Sequence, residues 1–166
     1  MAMIDGMLQE LDMEAQTTRR VLERVPEHKL EWRPHPKART LVELAMHVAI
    51  VPGAVAEMIA SPSPAQVPQF IDPVAESASE LIPALEQSIA KAKAALSGMN
   101  DDWAMETWRM VQGERELFAL PRASLLRSIM LNHWYHHRGQ LSVYLRELDV
   151  AIPSIYGPSA DENPFA

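Results

Sequence analysis

Three histidines fall within five positions of the stretch NHWYHHRGQ, residues 132–140. His133 and His137 are four apart, and on a helix that spacing puts two side chains on one face. They are then about 40° apart in rotation and about 6 Å apart along the axis. Two imidazoles so placed can converge on one metal ion, as the two histidines of an H-E-x-x-H helix do. No glutamate follows the first histidine here, so protease chemistry does not follow. His136 lies about 100° round from His137, toward the edge of the same face.

Two ligands leave a site incomplete, and a third donor must come from another element. His28 and His35 flank a proline-rich connection and read as exposed. His47, in LVELAMHVA, lies on or beside the apolar face of a helix, where an imidazole is either a cost or a ligand. Three neutral imidazoles would make an open site, the catalytic pattern for zinc, with a fourth position for water or substrate. Nickel, iron or manganese suit the same donors. Ligating histidines usually give their second N–H to a partner. Gln140 and Glu43 could serve, unless Glu43 is consumed in a capping box. The competing reading is three core histidines hydrogen-bonded to Gln140, Tyr144 and backbone carbonyls. His136 and Tyr144 are the nearest groups for proton transfer or substrate contact. Arg138 and Arg146 could attract an anionic cofactor but read more simply as solvated surface.

Helices must position these residues. Ile4, Met7, Leu8, Leu11, Ala15, Thr18, Val21, Leu22 and Val25 recur at helical spacing over about residues 3–24, before Pro26. A second helix opens at TLVE, where Thr40 and Glu43 form a capping box, and carries a kink or break at Pro52-Gly53. SPSPAQVPQFIDP (61–73) is a loop that could cover the site, though a plain linker is the simpler reading. A third helix spans SASELIPALE to Gly98, with Leu81, Ile82, Leu85, Ile89, Ala92 and Leu96 as its stripe. Residues 100–120 make a short hairpin or packed loop around Gly113. The fourth helix, the longest, runs from Pro121 to about Leu148, and the tail 149–166 is irregular. The expected fold is an all-α four-helix bundle in a single domain over 1–166.

Composition narrows the function classes. A net charge of −7 argues against nucleic acid, whose phosphates need clustered Lys and Arg. The absence of cysteine removes disulfides, thiolate metal sites and a cysteine nucleophile, and fits a cytoplasmic protein. No stretch approaches about 20 continuous apolar residues, so no membrane span is expected.

The run HWYHHRGQLSVYLR (133–146), the later PSIYGPSADE, and WRPHPKARTLVELAMHVA (32–49) together resemble the DinB/YfiT-like family of bacterial four-helix proteins. The resemblance covers nearly the whole chain. It implies a divalent metal held by one histidine of the second helix and two of the fourth, which fall on His47, His133 and His137. It also implies a homodimer. Some members transfer low-molecular-weight thiols such as bacillithiol or mycothiol to electrophiles, or use a thiol in isomerisation. The expectation is therefore a metal-dependent enzyme acting on a small molecule, foremost a thiol S-transferase. The alternatives are a non-catalytic metal- or small-ligand-binding stress protein and a metal-dependent hydrolase.

Overall fold

Helix α1 (Met3–Leu22) turns the expected stripe inward, with Ile4, Leu11, Thr18, Val21 and Leu22 buried. The computed structural model that shows this describes residues 2–69, 71 and 73–165; positions 70 and 72 of the 61–73 connection and position 166 of the tail lie outside the described residues. Helices α2 (Leu41–Ala60) and α3 (Leu81–Leu96) follow. A short α4 (Asp101–Met105) is capped by the Asn100 side chain, which accepts from the Trp103 N–H. A continuous helical run over residues 122–147, here α5, closes the set. It begins as α-helix (Arg122–Leu125), widens to π-helix (Leu126–Asn132) and returns to α-helix (His133–Glu147).

The four long helices expected from the sequence are present, but the pure four-helix bundle needs correction. A three-stranded sheet is present, in the order β1 (Ala65–Gln66), β2 (Thr107–Gln112), β3 (Arg115–Pro121), with β1 between α2 and α3 in the chain and the other two strands between α4 and α5. Strands β2 and β3 form the hairpin, antiparallel from Thr107↔Pro121 to Gln112↔Arg115, and Gly113 takes the positive φ of +61° at its turn. Trp108 and Met110 face inward while Thr107 and Arg109 face out, the period-two alternation of a half-buried strand. Strand β1 arises inside the proline-rich connection and pairs parallel to β2. Its two residues are too few to show any alternation in sequence.

Helix α2 opens with the expected capping box: the Glu43 N–H donates to Thr40 Oγ1, and the Thr40 N–H to Glu43 Oε2. Of the kink or break expected at Pro52-Gly53, the break does not occur: the helix continues past Pro52 because neighbouring helices satisfy what the proline disturbs. Proline has no N–H, so the Val48 carbonyl four residues earlier loses its helical donor. The Trp134 indole of α5 takes that place, donating to Val48 O at 2.8 Å. The Gly53 N–H donates to Ser88 Oγ of α3 at 2.8 Å, and Ser88 Oγ–H donates in turn to Ile50 O at 3.0 Å. A Cβ on Gly53 would stand 2.6 Å from the Ser88 carbonyl oxygen, so α2 and α3 meet this closely only across a glycine. By length and composition α2 could cross a membrane, but 67% of its most apolar window is buried inside the protein, the pattern of a core helix.

Arg138 departs from the solvated reading. It is 1% exposed, pairs with Glu14 at 2.6 Å, and donates to Thr18 Oγ1 and Tyr156 Oη. Its partners tie α1, α5 and the tail together, since a buried guanidinium must have its donors satisfied. Arg146 pairs with Asp161 of the tail, and Asp161 also accepts the Ile152 N–H. The tail is irregular, as expected, yet anchored.

Candidate metal centre

The imidazoles of His47 on α2 and of His133 and His137 on α5 meet where the two helices pack. Their potential ligand atoms all lie within 4.8 Å of one another. His47 Nε2 stands 3.4 Å from His133 Nε2, and His137 Nε2 stands 2.7 Å from the same atom. A tetrahedral ion with bonds of about 2.1 Å separates its nitrogen ligands by about 3.4 Å, so the cluster has the dimensions of a metal site. His47 is buried, and the other two are half-buried.

The far sides of two rings decide which nitrogens can bind. His133 Nδ1 lies 3.2 Å from the Ile129 carbonyl, which can only accept. His137 Nδ1 lies 2.7 Å from Gln140 Oε1, likewise an acceptor. Both Nδ1 atoms therefore carry the proton in the neutral rings, and both Nε2 lone pairs point at each other across 2.7 Å. Two facing lone pairs repel unless a positive species lies between them. Burial, reinforced by the surrounding imidazoles and opposed by the Gln140 contact, lowers the His137 pKa to about 4, so this ring is neutral at neutral pH. The donor set fits a divalent metal.

The π-helical turn supplies part of this arrangement. In an α-helix the Ile129 carbonyl would accept the His133 backbone N–H. Here that N–H goes to Met130 O, and the His133 ring takes Ile129 O instead. π-Turns commonly mark functional positions in helices. The Trp134–Val48 bond adds a tie between the residues next to His133 and His47, so the proline in α2 and the tryptophan in α5 set the register between the two ligand-bearing helices.

A cleft of about 780 Å³ opens beside the cluster, with all three histidines in its wall. Its long side is the α2 face carrying Ile50, Ala54 and Met58; Ile129 of the π-turn and Met110 and Phe118 of the hairpin face it. The 61–73 connection contributes Ala65, Pro68 and Ile71, so it does border the site. The hairpin is held there by Trp108, whose indole N–H donates to Ser61 O, and by Arg122, which donates to Ser61 O and to Ile59 O at the C-terminus of α2.

The remaining expected residues are distributed differently. Glu43 spends its carboxylate in the capping box, where the Thr40 N–H holds its pKa below the usual value. Gln140 sits behind His137. His136 is exposed, its ring 5.0 Å from that of His137. Tyr144 donates to the Arg39 carbonyl at 3.4 Å and stands edge-on to Trp32; burial raises its pKa. Neither His136 nor Tyr144 is among the described residues lining the cleft. His28 and His35 are exposed and outside the cluster. Sequence reasoning missed Ile129, Trp134 and the hairpin wall. Only the proline inside an apolar helix hinted that a foreign donor would be needed.

The chain matches known proteins over nearly its whole length. The sequence pattern of the DinB family matches residues 2–164. The protein YrdA of Bacillus subtilis, itself uncharacterised, is 26% identical over 162 residues, covering 96% of this chain and 91% of its own. The crystal structure of a DinB-like protein from Bacillus cereus superposes with a TM-score of 0.71 at 23% identity, covering 92% of this chain and 97% of that one. A putative DinB-family member from Exiguobacterium sibiricum gives 0.59 at 22% identity, over 93% and 96%. At these identities the structural likeness speaks to the fold.

Proposed function

The chain belongs to the DinB family, and from that premise we propose that it is a metal-dependent enzyme acting on a small molecule, with transfer of a low-molecular-weight thiol as its reaction. One observation carries the reading: three imidazoles from two helices present Nε2 atoms to a common point on the wall of an apolar cleft. A divalent ion there, zinc or nickel first and iron or manganese next, would lower the pKa of a coordinated thiol and supply a nucleophile at neutral pH.

The chain's own residues do the rest. Ile129 O and Gln140 Oε1 hold two rings with their lone pairs inward, and α2 and α5 fix the separation between the ligands. The apolar walls of the cleft receive the other substrate and shield it from water. His136, at the exposed edge beside His137, is the residue assigned to proton exchange with solvent, and Tyr144 to fixing the Arg39 backbone at the rim.

A second reading, a non-catalytic metal- or small-ligand-binding protein, draws on the position of His136 and Tyr144 outside the cleft lining. The two are separated by incubating metal-loaded protein with bacillithiol, mycothiol or glutathione and a panel of electrophiles. Turnover above the protein-free rate, lost in His137→Ala, supports the transferase. Stoichiometric metal with no turnover for any thiol supports the binder.

A further inference from the structure

The cleft beside the histidines has a direction. His47, Ile50, Ala54 and Met58 follow one another at three- and four-residue steps along α2, so this wall runs away from the cluster for about 16 Å at 1.5 Å per residue. Met110, Phe118 and Ile129 stand across it, all apolar. Two polar side chains on its border are engaged with the protein itself. Gln66 Oε1 accepts the Gly113 N–H and its Nε2 donates to Gly113 O, while Ser61 Oγ–H donates to Met58 O. Arg39 borders the cleft just before the start of α2 and lies close enough to the Glu43 carboxylate to help lower its pKa, so its charge has a counterpart within the protein.

Ala54 governs how much this wall can hold. It lies one helical turn from Ile50 and one from Met58, and its methyl is the shortest side chain in that row. It is exposed, and Ile71 on the cleft border has 80% of its surface in water. A concavity of about 780 Å³ is of small-molecule size, and apolar surface left open around it favours an apolar occupant. An ionised or hydroxyl group carried along the wall would lose its water and find few partners. We propose that the ligand of this cleft is an uncharged molecule with an extended apolar chain, one end at the three histidines and the chain along the Ile50–Ala54–Met58 face, with Ala54 setting the chain length accepted. This rests on the reading of the cleft as the ligand-binding side of the metal centre and adds the chemical class of what it binds.

The test titrates full-length, zinc-loaded protein with butan-1-ol, hexan-1-ol, octan-1-ol and hexane-1,6-diol, followed by the NMR methyl signals of Ile50 and Ile129. The affinity is expected to rise about threefold to fourfold for each methylene removed from water. The diol should bind at least about fivefold more weakly than hexan-1-ol, because one of its hydroxyls must lie on the apolar wall. Ala54→Trp fills the groove from an exposed position without entering the core. That variant should keep the zinc content and helical circular dichroism of the wild type but lose the chain-length dependence, and Ala54→Leu should end the rise at a shorter chain. Equal affinity for butan-1-ol and octan-1-ol, a diol as tight as hexan-1-ol, or an undiminished series in Ala54→Trp would overturn the proposal while leaving the metal centre standing. The expected series from a protein that turns over no thiol would support the ligand class and remove the transferase reading alone.

Discussion

The Trp134 indole and the Pro52 ring should be coupled through a single carbonyl. Trp134→Phe removes the donor at 2.8 Å from Val48 O, and with proline at 52 that carbonyl has no N–H four residues ahead to replace it. Leaving a buried acceptor unsatisfied costs about 1–3 kcal/mol. Trp134 is fully buried, and its smaller replacement adds roughly 1–2 kcal/mol for lost packing. In a Pro52→Ala background the new N–H can reach Val48 O by the ordinary helical bond, so only the packing cost should remain. The double-mutant cycle, read by urea denaturation of the four metal-free proteins, is therefore expected to give a coupling energy of about 2 kcal/mol, or about 4–8 °C in Tm. Costs that add to within about 0.5 kcal/mol would refute the claim that the tryptophan completes the helix at the proline.

Other outcomes follow from single contacts. Gln140→Leu removes the acceptor behind His137 and should weaken zinc binding by about 10–100-fold in a competition assay, whereas Gln140→Glu, which keeps an acceptor, should recover most of it. Gly53→Ala places a methyl 2.6 Å from Ser88 O and should cost about 1–3 kcal/mol in urea unfolding, more than any helix-propensity gain from alanine. The Glu10 carboxylate is held below its ordinary value by the Arg127 hydrogen bonds, with burial opposing and the Tyr135 hydroxyl assisting. Its folded pKa lies below the unfolded one, so its stabilisation is fully present above pH 4.5 and is lost as pH falls through the folded value. Glu10→Gln should accordingly flatten the acid limb of the stability curve between pH 7 and 3.5, and an unchanged limb would count against the pairing.

The helices and the histidine cluster were legible because both depend on periodicity. Apolar spacing marked α1, α3 and α5, Thr40 with Glu43 marked the start of α2, and the His133–His137 spacing marked a shared face. The hairpin could be placed near Gly113 because its turn needs a positive φ. Strand β1 left no trace, since two residues paired to a distant strand are specified by tertiary contact rather than local pattern. Pro52 left a kink or a break open because the sequence cannot show a tryptophan 82 residues away supplying what the proline disturbs. Arg138 read as surface because its compensation, Glu14 and Tyr156, comes from the first helix and the tail. The π-turn is equally invisible, as it appears only as a slipped register in an otherwise helical run.

The central claim, that imidazoles from α2 and α5 hold one metal ion together, is tested most directly by metal analysis of protein prepared without a histidine tag. His47→Ala, His133→Ala and His137→Ala are compared with wild type and with His136→Ala. The account predicts about one divalent ion per chain in wild type and His136→Ala and its loss in each of the other three, with the helical circular dichroism retained. Equal metal content in all five proteins, or none in the wild type after exposure to zinc and nickel, would contradict it.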